Sequence, residues 1–486
     1  MVNLNQENSK SIYSHLKLVG AMTIAAASLI ACGGGGGGTT NNVTAVVAGL
    51  PSASSLKDMC IKPRSGTSDR QGTMADEKAY LRSFVDETYL WYKDVPKVDP
   101  LSYANPQKYF DVLKTTAKTA SNRDVDQFHW SVTEDSFNKQ SAGIEEGYGI
   151  TWARASDAPP RDWVVSNVEL TAPGNVLQRG DKLKSVDGVD FIAGSDLATI
   201  NEALFPSKVA PHTFEVIRAG KSVTVAITPG QVSTTPVRYA KVVDTPTGKV
   251  GYIYFDEHIA KAETLLIDAI NTVKTQGAQD LVLDLRYNGG GLVSIASQLA
   301  YMIGGSNTTG KVFDKLVYND KRSADNYPFP FYTTSSTSAP LPTLNLKKVT
   351  ILVGGGTASA SEAIINGLRG VDVEVVLIGE TTRGKPYGFV PQANCGWVYY
   401  SVQFKGENAK GFGDFADGFA PTCVVKDDFT KPLGDVAEGR FAAALKYRDT
   451  KTCLPSPTGI SGSLKGVGEV NYQVTPNPAK FLLIPR

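Results

Sequence analysis

Two short stretches carry residues able to do nucleophilic chemistry. The first is Gly354-Gly-Gly-Thr-Ala-Ser359-Ala360-Ser361-Glu362-Ala363, where glycines and small residues run into an apolar helical pattern. A serine at such a helix start has two readings. Ser359-x-x-Glu362 has capping-box spacing, with serine as N-cap and glutamate at the third helical position. The same serine would hold its hydroxyl beside free backbone N–H groups, which suit a developing oxyanion. The second stretch is Gly379-Glu-Thr-Thr-Arg-Gly384-Lys385-Pro386. A loop lysine is ordinarily solvated. Lys385 instead follows a predicted buried strand, in a segment with few other charges. Burial there would lower the amine's pKa and leave it able to take a proton from a serine hydroxyl. Of His15, His129, His212 and His258, only His258 falls in this region, and no motif couples it to a serine. The lysine stretch also nearly matches the phosphate loop G-x-x-x-x-G-K-[ST]. Pro386 takes the place of the hydroxyl residue, however, and Pro386-Tyr387-Gly388 opens no helix.

Positioning these residues requires a strand–helix framework. Residues 236–448 alternate apolar strand runs such as VGYIYF, DLVLDLR, VTILVGG and VEVVLIGE with helical patterns such as AETLLIDAINTVKTQ and SEAIINGL. That order predicts a largely parallel sheet with its site at the C-terminal strand ends. A third feature falls at such an end: Asp284-Leu285-Arg286-Tyr287-Asn288-Gly289-Gly290-Gly291. Together the three motifs resemble those of the C-terminal processing peptidases, or tail-specific proteases: "S-A-S-E", "D-L-R-x-N-x-G-G" and "G-E-x-T-x-G-K". The resemblance extends over about residues 75–445. It implies an α/β multidomain chain with an N-terminal helical domain, a PDZ-like β domain and a crotonase-like α/β serine protease core.

By that resemblance Ser359 is the nucleophile and Lys385 the general base of an endopeptidase that needs no metal or cofactor. The N–H groups of Ala360 and of Gly289 or Gly290 would form the oxyanion hole, and Thr382 would support the site; Glu362 would fix the helix start, and Gln392 could orient the lysine only if its loop bends differently. Many members carry a glutamine four residues after the lysine; here that position is Phe389. This departure keeps a second reading in view, an inactive peptide-binding lipoprotein that retains the PDZ domain.

Upstream, helical spacing of Tyr80, Leu81, Phe84, Val85, Tyr89 and Leu90, then of Tyr109, Phe110 and Leu113, predicts a small helical domain over 73–143. Residues 145–232 read as short strands and a hairpin turning at Ala219-Gly220-Lys221. This segment resembles a PDZ domain. Gly147-Tyr148-Gly149-Ile150 would be its carboxylate-binding loop, and 196–205 the helix beside its groove. Substrate C-termini would add as an extra strand there.

Residues 1–31 read as an export signal, and Leu29-Ile30-Ala31-Cys32 resembles a lipobox, which implies a lipid on Cys32. The expected location is a bacterial membrane, by resemblance the outer one, facing the periplasm or cell surface. Residues 32–72 read as a Gly-rich linker and 449–486 as a tail. Oxidising conditions would let Cys60, Cys395, Cys423 and Cys453 form disulfides. Cys395–Cys423, closing a short loop, and Cys60–Cys453, tying the ends, are the expected pairs. With 49 basic and 48 acidic residues, the composition gives no support for a nucleic-acid partner.

Overall fold

Thr73 and Asp76 form a capping box that starts helix α1 (Met74–Thr88) in the computed structural model, which describes residues 49–454. The signal, Cys32, the glycine run and residues 455–486 lie outside the described residues. The α1 side chains Tyr80, Leu81, Phe84 and Val85 are buried against Tyr109 and Phe110 of α2 (Pro106–Phe110) and against Leu113. Tyr399 and Val402 join the same cluster. Strand Trp130–Thr133 pairs antiparallel with Trp397–Tyr400, so the helical unit is stitched to the later part of the chain.

Residues 51–72, expected as linker, are folded. Ala53–Leu56 is helical, and Met59–Cys60 pairs with Arg70–Gln71. The disulfides explain part of this, and they correct the expected pairing. Cys60 bonds Cys395, and Cys423 bonds Cys453. Cys395 lies in the turn between strands Gln392–Asn394 and Trp397–Tyr400, where the Asp58 N–H donates to Asn394 Oδ1 at 2.8 Å. Cys423 opens a strand in a different sheet, so nearness in sequence did not bring it to Cys395.

The middle segment builds an antiparallel sheet from β1 (Ile150–Ser156), β2 (Asp162–Val168), β3 (Lys182–Val186), β4 (His212–Arg218) and β5 (Lys221–Ile227). Their order is β5-β4-β3-β2-β1. Helix α3 (Leu197–Leu204) buries Ile200, Ala203 and Leu204 against Trp163, Phe191 and Phe214. The β4–β5 hairpin turns at Ala219 and Gly220, both at positive φ, as a two-residue loop requires.

The core sheet runs β6 (Val237–Thr245), β7 (Gly248–Phe255), β8 (Asp280–Asp284), β9 (Lys348–Val353), β10 (Glu374–Gly379) and β11 (Cys423–Val424), in that order. Only β6–β7 is antiparallel. Side chains alternate between two buried faces. Leu281, Leu283, Ile351, Val353, Val375 and Leu377 meet α4 (Ala262–Thr275), α5 (Val293–Gly304) and α6 (Ala360–Gly370). Val282, Leu352, Val376 and Ile378 face Phe441, Ala443 and Ala444 of α7 (Gly439–Thr450), with Ala153 and Val164 of the middle sheet in the same cluster. Among the described residues no helix is long and apolar enough to cross a membrane.

Peptide mapping without reduction should recover Cys60–Cys395 and Cys423–Cys453; a Cys395–Cys423 peptide would contradict this arrangement. Replacing Cys60 and Cys395 by alanine should lower unfolding stability by about 2–4 kcal/mol in denaturant titration.

Candidate active site

Three loops leave the C-terminal ends of β8, β9 and β10. The first is fixed from beneath by a buried cation. The Arg286 guanidinium pairs with Asp284 at 2.9 Å, with Glu438 at 2.7 Å and with Asp427 at 2.9 Å. Tyr252 Oη donates to Asp284 Oδ2 at 2.7 Å. The aspartate and arginine of the "D-L-R" motif therefore anchor the turn. Asn288 then ties that turn to its neighbour. Its backbone carbonyl accepts the Ala358 N–H at 3.1 Å and the Ser361 hydroxyl at 3.0 Å.

The second loop presents Ser359 immediately before α6. The serine has φ +56° and ψ −118°, a conformation side chains rarely adopt. Strain of this kind persists only where the surroundings hold it. Gly290 is part of that hold, because a Cβ there would lie 2.8 Å from Ala358 O, Ala360 N and Ser359 Cβ. Only glycine lets the first turn pass this close to the serine.

The third loop is joined to the second through Glu362. Its fully buried carboxylate accepts four hydrogen bonds: Ser359 N–H at 3.0 Å, Thr382 Oγ1 at 2.6 Å, Gly384 N–H at 2.7 Å and Lys385 N–H at 2.8 Å. Ser359 and Lys385 donate to the same oxygen, Oε2. Their backbone nitrogens are thus held one carboxylate oxygen apart. Burial raises the Glu362 carboxyl above its ordinary range, and the four donors oppose that rise. The glutamate half of the capping-box spacing is present as the Ser359 N–H bond to Glu362, and it does more than start a helix. Thr382 also receives the Phe419 N–H at 2.7 Å, so it positions Glu362.

The partly buried Lys385 side chain enters a slot walled by two aromatic rings. Its amine stands 4.1 Å from the Phe389 ring centroid and 4.8 Å from that of Phe128. Burial pushes its pKa down to about 8; Asp126 and Glu362 oppose the fall and Arg383 adds to it. Asp126 and Phe128 belong to the helical unit, which also reaches the loop through Arg123 to Arg383 O (3.0 Å) and Gln127 to the Arg383 guanidinium (2.8 Å). These residues carry no local sign in the sequence, because their partners lie far along the chain.

The remaining candidates divide. Ala360 and Gly289 N–H have no protein acceptor among the described residues. The Gly290 N–H donates to Asn288 Oδ1 at 2.9 Å and is engaged in this conformation. Gln392 lies in a strand opposite Tyr399, and among the described residues it makes no hydrogen bond to the Lys385 amine. His258 lies behind the glycine turn. Its Nδ1 pairs with Asn288 Oδ1 at 2.9 Å, and burial lowers its pKa to about 4. In the middle segment Gly147 and Gly149 take positive φ, and the buried Tyr148 hydroxyl donates to Ala203 O of α3 at 2.9 Å. Ile150 opens β1, whose outer edge pairs with no strand among the described residues.

Two segments of the chain are similar to known peptidases. The sequence model of Peptidase family S41 matches residues 249–394, and that of the Peptidase S41 N-terminal domain matches 76–132. The carboxyl-terminal-processing peptidase 1 of Arabidopsis thaliana chloroplasts is 29% identical over 65% of this chain and 61% of its own. A carboxyl-terminal-processing protease of Synechocystis is 29% identical over 43% of this chain and 45% of its own. This chain therefore spans less than two thirds of the length of either relative. A putative S41 protease from Bacteroides fragilis shares the fold, with a TM-score of 0.62 and 24% identity over 77% of this chain and 97% of that one. Residues 76–132 and 249–394 are thus similar to the two parts of peptidase family S41, and the relatives named here are carboxyl-terminal-processing enzymes.

Replacing Glu362 by alanine strands four donors in a buried site. Chemical denaturation should show a loss of about 3 kcal/mol or more. Ser359→Ala, which keeps the Ser359 N–H bond, should stay within about 1 kcal/mol of wild type. Equal stabilities for the two variants would count against the Glu362 bridge.

Proposed function

We propose that this chain is a serine endopeptidase of the C-terminal processing type, with Ser359 as nucleophile and Lys385 as base. The observation that carries the reading is the shared Glu362 oxygen, which draws Ser359 and Lys385 together while the lysine amine lies in a slot walled by two aromatic rings. In the reaction the neutral amine takes the Ser359 hydroxyl proton as Oγ bonds the scissile carbonyl carbon. The resulting ammonium returns a proton to the leaving amine as the C–N bond breaks. Water then attacks the acyl ester, again with the amine accepting a proton, and the serine is regenerated. Ala360 and Gly289 N–H are the oxyanion donors free to act. Gly290 would join them after its bond to Asn288 is released.

The middle domain is read as PDZ-like. Its open β1 edge, following the Gly147–Ile150 loop, suits an extended polypeptide ending in a free carboxylate. The proposed setting is an exported enzyme held at a bacterial membrane by lipid on Cys32. The two disulfides favour an oxidising compartment.

Ser359→Ala and Lys385→Ala should each lower cleavage of an unfolded test protein by at least about 1000-fold while the circular dichroism spectrum is retained. The base must be neutral, so kcat/KM should fall as pH drops through about 8, where burial has placed the Lys385 pKa. Wild-type levels of cleavage by either variant would remove the mechanism. Absence of cleavage by wild type, with peptides still bound, would favour the peptide-binding reading.

A further inference from the structure

Lys385 is the proposed base, yet its amine makes no hydrogen bond to protein among the described residues. What it touches is aromatic. The Phe389 and Phe128 rings approach it at 4.1 and 4.8 Å. Phe389 lies four residues after the lysine, and no side chain among the described residues donates to or accepts from the amine. Both rings are backed. Phe389 packs edge-on against Tyr400 at 4.9 Å, and Tyr400 stacks on Trp130 at 4.3 Å. The Phe128 N–H donates to Asp126 Oδ1 at 2.9 Å, and Asp126 is itself held by Tyr89 Oη at 2.6 Å.

We propose that Phe389 and Phe128 are positioning residues whose ring faces together clamp the Lys385 amine. The proposal rests on the reading of Lys385 as the base. Two effects of the rings act at different moments. Ring carbon excludes water, which favours the neutral amine before attack. The ring faces then attract the ammonium as the serine proton arrives, an interaction absent for the neutral amine. The clamp therefore favours the transition state over the resting site. One ring comes from the helical unit and the other from the core, so the base is positioned only where the two meet. The charged groups that face the amine are Asp126 from the helical unit, Glu362 from α6 and Arg383 from its own loop.

Two substitutions at Phe389 separate the effects. Phe389→Ala opens the slot, so water should enter and the amine's titration should move up by about one pH unit. Phe389→Leu keeps apolar cover over the amine but removes the π face. The ammonium loses its attraction, so the titration should move down and kcat should fall about tenfold. Two readouts are needed: the acid limb of kcat/KM, and reductive methylation of Lys385 against pH in a Ser359→Ala background, followed by mass spectrometry of the Lys385 peptide. Phe128→Leu should act in the same direction as Phe389→Leu. Opposite shifts for alanine and leucine support the clamp. No shift in labelling with either substitution overturns it, even in an enzyme that cleaves normally. If wild type does not cleave, labelling still decides the clamp, and only the peptidase reading is lost.

Discussion

One buried carboxylate holds the candidate site together. Glu362 lies on the first turn of α6 and receives donors from two different loops. It is the anchor shared by the backbone of the strained Ser359 and that of Lys385, beside the Arg383 N–H bond to Thr357 O at 2.9 Å that also joins the two loops. A carboxylate taken out of water is costly unless its lone pairs are filled. Here four donors fill them, three from the backbone. A side-chain partner can swing away, but a backbone donor moves only if the loop moves. The burial cost of Glu362 is thus converted into a fixed separation between the backbones of Ser359 and Lys385.

A second buried network supports this one from below. Arg286, Asp284, Glu438 and Asp427 fix the turn after β8. Arg179 of the middle domain enters the same network, pairing with Asp427 at 2.6 Å and donating to Tyr287 Oη at 2.7 Å. Gly180 beside it is forced by contact, since a Cβ there would stand 2.3 Å from Phe429 O. Buried ion pairs of this kind add little net stability, but losing one partner leaves a charge stranded. Their effect here is geometric. They join the sheet with the free edge to the turn that bears the glycine N–H groups.

Much of this was legible in the sequence, for definite reasons. The capping-box spacing placed Ser359 before α6. Alternation of strands and helices put three motifs at adjacent strand ends, since topology fixes where such loops gather. The Phe389 departure was also visible, though its consequence was not. What stayed hidden depends on contacts distant in the chain. Arg286 meets Glu438 and Asp427 only because α7 packs under the sheet. Phe128 and Asp126 reach Lys385 only because Trp130–Thr133 pairs with Trp397–Tyr400. The disulfide pairing failed for the same cause, because loop length says nothing about which sheet a cysteine joins. Residues 51–72 looked like linker by composition, yet Cys60 and its short strand hold them in the fold.

The central claim is that the Ser359 hydroxyl becomes covalently acylated during turnover. The direct test is to mix enzyme with an unfolded polypeptide, quench in acid within the first turnovers and map the protein by mass spectrometry. The account predicts an ester-linked substrate fragment on the peptide containing Ser359, absent from Ser359→Ala and from Lys385→Ala. Turnover with no such adduct, or with an adduct on another residue, would contradict it.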